Sequence, residues 1–170
     1  ALEMAQALGW PYREALVKNR YVGRTFIMPG DEQRKRSVRH KLNVIAQEVL
    51  GKRVLIVDDS IVRGTTSRQI IQMVREAGAA QVFLASTAPP LSHPCVYGID
   101  MSTRKELIAR GRSLEQIAEA LGADAVIYQD LPDLVQSVRD ESPIPLTDTC
   151  HACFSGHYPT GDIDENELMS

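Results

Sequence analysis

Apolar positions change spacing several times along the chain, and each change predicts a change of element. Residues 2–8 carry apolar side chains at Leu2, Ala5 and Leu8, with Met4 and Ala7 beside them. That is helical spacing, stopped by Gly9 and Pro11. A short extended stretch is expected at 15–17. Residues 53–57, Arg-Val-Leu-Ile-Val, form a β-branched run of the kind buried on both faces of a parallel sheet. After a loop at 60–66, Ile70, Ile71, Val74 and Ala77 make one helical face, closed by Gly78. A second strand is expected at 82–86 and a third at 125–128.

Two stretches fit the reciprocal capping box, in which a Ser or Thr and a Glu or Gln three residues later satisfy each other's backbone N–H groups. They are Thr103-Arg104-Lys105-Glu106 and Ser113-Leu114-Glu115-Gln116, and each predicts a short helix, the second ending at Gly122. A last helix is expected over 133–138. Strands alternating with helices define an α/β class with a parallel sheet flanked by helices and the ligand at the carboxyl ends of the strands. From Ser142-Pro143-Ile144-Pro145 onward the pattern fails. The chain therefore divides into a body, 1–141, and an irregular tail, 142–170, expected to be held by something other than a core of its own.

Residues 18–41 interrupt the periodicity. They are charged and irregular, with a turn at Pro29-Gly30 and Arg34, Lys35, Arg36, Arg39 and Lys41 crowded together. A long basic loop inside a compact domain is more often functional than accidental, and a lid is one use for it. A solvated face is the plainer reading for Arg34 to Arg36.

With 170 residues, 44% of them hydrophobic and 24% charged, the chain has the composition of a globular domain that can bury a core. Collagen-like and coiled-coil readings drop out. No apolar run is long enough to span a bilayer and no secretion signal is visible, which makes a cytoplasmic protein the expectation. The net charge of −3 conceals an asymmetry: residues 130–170 hold one basic and nine acidic residues, a net of −8, against +5 for residues 1–129. A mildly basic body suits a small phosphorylated ligand and is too weak for a nucleic-acid surface.

The run Val54-Leu55-Ile56-Val57-Asp58-Asp59-Ser60-Ile61-Val62-Arg63-Gly64-Thr65-Thr66 carries the chemistry. Backbone N–H groups of residues 63–66 at a helix amino terminus, joined by the Ser60, Thr65 and Thr66 hydroxyls, make a cradle for a phosphate. Gly64 lets the backbone approach the anion closely. Asp58 and Asp59 at the strand's carboxyl end can accept hydrogen bonds from vicinal ribose hydroxyls and help hold a ligand-bound Mg²⁺. The plain alternative is a capped helix following two solvated aspartates.

These residues resemble the signature with which phosphoribosyltransferases bind 5-phosphoribosyl 1-diphosphate. The stretches at 18–29, 37–43 and 97–101 extend the resemblance to the glutamine phosphoribosylpyrophosphate amidotransferase family over nearly the whole chain. The resemblance implies a type I phosphoribosyltransferase-like fold and displacement of pyrophosphate by ammonia at the anomeric carbon, the entry to purine synthesis. It also implies that residues 18–41 fold over the substrate and bring Tyr21, Arg24 and Lys41 near the pyrophosphate. Site residues 58–66, Ile61 and Val62 included, are assigned to substrate binding on the same ground. In the family, a first strand and a glutaminase half that supplies ammonia come earlier, so both are expected before Ala1. Purine nucleotide inhibitors and a homo-oligomer are implied as partners.

Cys150-His151-Ala152-Cys153 is a CxxC pair that could share a metal or cycle as a redox couple, and Cys95 is the third thiol. Some members of the family hold a [4Fe–4S] cluster on thiols in such contexts. The resemblance assigns Cys95, Cys150 and Cys153 to it, with a fourth ligand expected upstream. Zinc on the three thiols and His151 or His157 is the alternative. Two other functions remain in view. A ligand-sensing transcriptional regulator of the same fold would lack the long basic loop, and a salvage transferase acting on a free base would have no use for the CxxC.

Overall fold

The structure, a computed structural model, describes residues 1–18, 42–98, 106–146, 148–161 and 163. The elements run α1 (Leu2–Leu8), β1 (Leu16–Lys18), β2 (Leu42–Val44), α2 (Ala46–Val49), β3 (Arg53–Asp58), α3 (Thr65–Glu76), β4 (Gln81–Ser86), α4 (Leu114–Leu121), β5 (Ala125–Tyr128), α5 (Leu131–Asp140) and α6 (Ala152–Ser155). Strands β3, β4 and β5 form a parallel sheet in that order, as the alternation of strands and helices requires.

The pleat sorts the sheet's side chains. Ile56, Leu84 and Val126 lie in one cross-strand row, with Val54 and Val82 in the row before it. On that face they pack with Ile70, Ile71 and Val74 of α3 and Ile117, Ala118 and Leu121 of α4 to form the core. The opposite face differs from expectation. Instead of being buried there too, Leu55 and Val57 of β3, with Phe83 of β4 and Ile127 of β5, line a groove of about 920 Å³ together with Met4 and Ala5 of α1 and residues 10–16. Ile127 stays half exposed and α1 buries no residue. Among the described residues nothing pairs with the outer edge of β3, so its backbone groups and this apolar face remain open.

Local signals located most boundaries. Both halves of the capping box at Ser113 and Gln116 are formed, and Gly122 ends α4 in the left-handed conformation. α5 begins earlier than its apolar spacing suggests because Asp130 is the N-cap and Pro132 fits the first turn, where its missing N–H costs nothing. The other box lies mostly outside the described residues. Beyond it Glu106 is 3₁₀-helical, residues 108–111 form turns, and no described α-helix lies between β4 and α4.

Three short elements were not visible in the sequence. β2 pairs antiparallel with β1, with Lys18 opposite Leu42, so both ends of the 19–41 segment are fastened at one place. α2 follows and sends Val49 into the core. In the tail, α6 carries Cys153, and Ala152 and Tyr158 are buried. The tail is therefore fastened by the protein's own contacts. The Ser92 and His93 N–H groups both donate to the Cys153 carbonyl, and the Tyr158 hydroxyl donates to the Pro94 carbonyl at 2.7 Å. The Tyr97 hydroxyl meets Thr160 Oγ1 at 3.0 Å, and the Tyr97 and Tyr158 rings pack at a tilt. No described helix is long and apolar enough to cross a membrane.

Candidate functional site

β3 delivers Asp58 to the carboxyl edge of the sheet beside Ser86 of β4, with Tyr128 of β5 next in the row. The main chain of the acidic pair is moored to the end of β4: Thr87 donates its N–H to the Asp58 carbonyl at 3.0 Å and its hydroxyl to the Asp59 carbonyl at 3.2 Å. Asp58 Oδ1 accepts the Asp59 N–H at 3.0 Å, and Asp59 Oδ1 accepts the Ser60 hydroxyl at 3.3 Å. Burial pushes the Asp58 carboxyl up from its ordinary range. The Asp59 N–H offsets this in part, and the neighbouring Asp59 charge adds to it. A half-buried carboxylate beside a second carboxylate is a group that gains from a cation or a hydroxyl donor.

The following loop is anchored from inside. Ile61 is 1% exposed and belongs to the core, so its side chain serves the loop's position and not a ligand. The Val62 carbonyl accepts the Ile108 N–H at 2.9 Å. Gly64, with φ 73°, turns the chain into α3 as its N-cap. Its neighbours supply a second reason for glycine, which the sequence reading attributed to anion approach alone. A Cβ here would lie 2.5 Å from Ile108 Cδ1 and 2.6 Å from Leu121 Cδ2. No side chain caps α3, and its first turn carries no carboxylate. Its first N–H groups, at the positive end of the helix dipole, are therefore left without a capping side chain, and an anion is favoured there.

Of the sequence-derived site residues, the structure brings 58–66 together on one strand–loop–helix junction. Tyr21, Arg24 and Lys41 lie outside the described residues. The structure also adds three residues that no local pattern marked: Glu106, whose carboxylate meets Arg63 at 3.0 Å, and Ile108 and Leu121, which pack on Gly64. Only folding brings them to the loop, and Glu106 had a ready explanation as a capping-box residue.

Cys95, Cys150 and Cys153 are all free thiols, Cys150 exposed and the others half-buried. Burial pushes the Cys153 thiol up, backbone N–H contacts oppose this, and the neighbouring Cys95 and Cys150 raise it further. Among the described residues no three Cys, His, Asp or Glu side chains are arranged to hold a metal ion. The His151 ring is engaged with Ser155 Oγ at 2.9 Å.

A parallel strand ending in two carboxylates and leading through a buried-anchored loop into an uncapped helix defines a phosphoribosyltransferase-type domain. No family model matches the chain. It is 56% identical over 168 residues to amidophosphoribosyltransferase of Escherichia coli, covering 99% of the chain and 33% of that enzyme. It is 57% identical over 165 residues to the Schizosaccharomyces pombe enzyme, covering 97% and 30%. A solved structure of glutamine phosphoribosylpyrophosphate amidotransferase from Bacillus subtilis, complexed with ADP and GMP, superposes with a TM-score of 0.78 at 48% identity, over 94% of this chain and 35% of that one. Over nearly its whole length the chain corresponds to a part of amidophosphoribosyltransferases, and it spans about a third of the length of the curated relatives it matches.

Proposed function

We propose that this chain is the phosphoribosyl-transfer part of an enzyme that makes 5-phosphoribosylamine, pyrophosphate and glutamate from 5-phosphoribosyl 1-diphosphate and glutamine. The observation that carries the reading is the junction at 58–66: two adjacent carboxylates on a strand end, one half-buried, beside a helix amino terminus with no protein cap. In this reading the N–H groups of residues 63–66 and the Ser60, Thr65 and Thr66 hydroxyls bind the 5-phosphate. Asp58 and Asp59 hold the ribose hydroxyls.

At the reacting centre the C1–O bond to pyrophosphate breaks and a C1–N bond forms, the incoming ammonia giving up one proton. The chain's contribution is positioning and electrostatics, because charge develops on the leaving group and the sugar while little proton transfer is asked of the protein. Tyr21, Arg24 and Lys41 are assigned to the pyrophosphate by resemblance, and closure of their segment would exclude water.

The acidic pair fits Mg²⁺. Each carboxylate uses Oδ1 within the loop, and Oδ2 of neither bonds to a described residue, leaving hard oxygen donors on adjacent residues. The ion would neutralise charge on the bound diphosphate. The thiols Cys95, Cys150 and Cys153 are assigned to a [4Fe–4S] cluster by resemblance and by the thiolate chemistry such a cluster needs, with a further ligand from outside this chain; the described residues do not bring the three into a metal-holding arrangement. Zinc on the three thiols and His151 or His157 is the alternative, the His151 ring being engaged with Ser155 Oγ. Ammonia would come from a glutaminase part of the whole enzyme. Purine nucleotides as inhibitors, a homo-oligomer and a cytoplasmic location complete the proposal, the first supported by the ADP and GMP in the related B. subtilis structure.

The test is ammonia-dependent pyrophosphate release by the full-length enzyme. Asp59→Asn is expected to lower kcat/KM by on the order of 100-fold, as loss of a carboxylate that orients substrate and holds Mg²⁺ does. Unchanged kinetics would remove the acidic pair from the site.

A further inference from the structure

We propose that Glu106 is a positioning residue for the phosphate cradle, acting through Arg63. The inference rests on the reading of 58–66 as a phosphoribosyl diphosphate site and adds to it a residue from a distant segment.

Three contacts join the 106–108 segment to the loop. The Glu106 carboxylate accepts from Arg63 Nη2 at 3.0 Å, across 43 positions of sequence. The Ile108 N–H donates to the Val62 carbonyl at 2.9 Å. The Ile108 side chain, itself buried, fills the space beside Gly64 that a Cβ would need. The last two contacts fix the backbone of 106–108 against the backbone of 62–64. Glu106 is thus held by a buried neighbour two residues away and is not a free surface carboxylate that happens to meet a cation.

Both partners of the ion pair are well over a third exposed, 40% for Arg63 and 43% for Glu106, so the pair contributes little to folding. Its effect lies in geometry. Arg63 immediately precedes the helix N-cap, and its Nε and Nη1 donate to no described residue. A guanidinium tethered by one nitrogen keeps its other donors for an oxyanion, and a tethered arginine gives up less rotamer freedom when the anion arrives. Glu106 therefore strengthens phosphate binding through Arg63, although its own charge opposes an anion.

The sign of that prediction is what makes it testable. In the full-length enzyme, Glu106→Ala is expected to raise the KM for phosphoribosyl diphosphate about 3- to 10-fold with kcat within about twofold, and Glu106→Gln, which can still accept from the guanidinium, to fall between. In an Arg63→Ala background, Glu106→Ala is expected to add no further change, since the partner through which it acts is gone. A lower KM in Glu106→Ala would show that simple charge repulsion governs, and an equal effect in both backgrounds would show that Arg63 is not the intermediary. Either result overturns the proposal. Asp59→Asn in the same assay separates the two levels: if it is impaired and Glu106→Ala is not, the positioning role fails alone, and if Asp59→Asn is unimpaired the site reading fails with it.

Discussion

Gly64 and Ile108 fit against each other so closely that a single added carbon on the glycine would come within 2.5 Å of the isoleucine Cδ1. Leu121 closes the same space from α4, and both side chains are core residues with little room to retreat. Gly64 also has φ 73°, a conformation that side chains disfavour. Gly64→Ala is therefore expected to destabilise the protein by about 2 kcal/mol or more, combining backbone strain with overpacking. Urea unfolding of the full-length enzyme checks it. An equally stable variant would mean that the loop can shift at no cost.

Asp58 sets stability against function. Its carboxyl is raised by burial and by Asp59, so the folded state holds the proton more tightly than the unfolded chain does. The resulting penalty is absent below the unfolded pKa and fully present above the raised folded one. Asp58→Asn, which can still accept the Asp59 N–H, should then raise the melting temperature at neutral pH. The gain should shrink on acidification through the folded pKa, while substrate turnover collapses. Melting curves between pH 4 and 8 without substrate test the sign.

Tyr128 ends β5 in the row of Asp58 and Ser86, and its hydroxyl is buried with no hydrogen-bond partner among the described residues. Burial pushes its pKa up to about 12. Tyr128→Phe removes a polar group that gains nothing from folding, so stability should be unchanged or higher by up to about 1 kcal/mol. In a spectrophotometric titration the variant should lose a phenolate transition at about pH 12.

Gly156 and His93 join the tail to the body. Gly156 has φ 76°, and a Cβ on it would lie 2.7 Å from His93 Cε1. Gly156→Ala should loosen α6 from the 92–94 backbone and expose Cys153. In wild-type protein without bound metal, Cys150 should react with a thiol reagent before Cys153, because Cys153 is less exposed and its thiol is raised. In the variant the two rates should converge. If Cys153 stays slow, the tail is held by the Tyr158 and Tyr97 contacts alone.

The parts of the fold that were legible in the sequence are those written in neighbouring residues. Ser113 and Gln116 satisfy each other within one turn, and the apolar stripe of α3 repeats every three or four residues. The short elements escaped because their reasons for existing lie elsewhere. β2 is a strand only because β1 is there to pair with it, and α6 has a single turn whose carbonyl is held from Ser92 and His93. The tail's lack of apolar period is what led to the expectation that something other than a core of its own holds it. That period could not register Tyr158, one aromatic buried against Pro94 and Tyr97.

By itself the sequence determined the α/β alternation, the acidic pair at a strand end and the helix that opens after Gly64. Each of these depends on residue types within a few positions of one another, where spacing decides what a backbone can do. Only the tertiary structure decided that Ile108 and Leu121 require that glycine, that Glu106 tethers Arg63 and that one face of the sheet stands open beside α1. These relationships join segments far apart in the chain, and side-chain packing and charge pairing across such separations leave no local pattern to read.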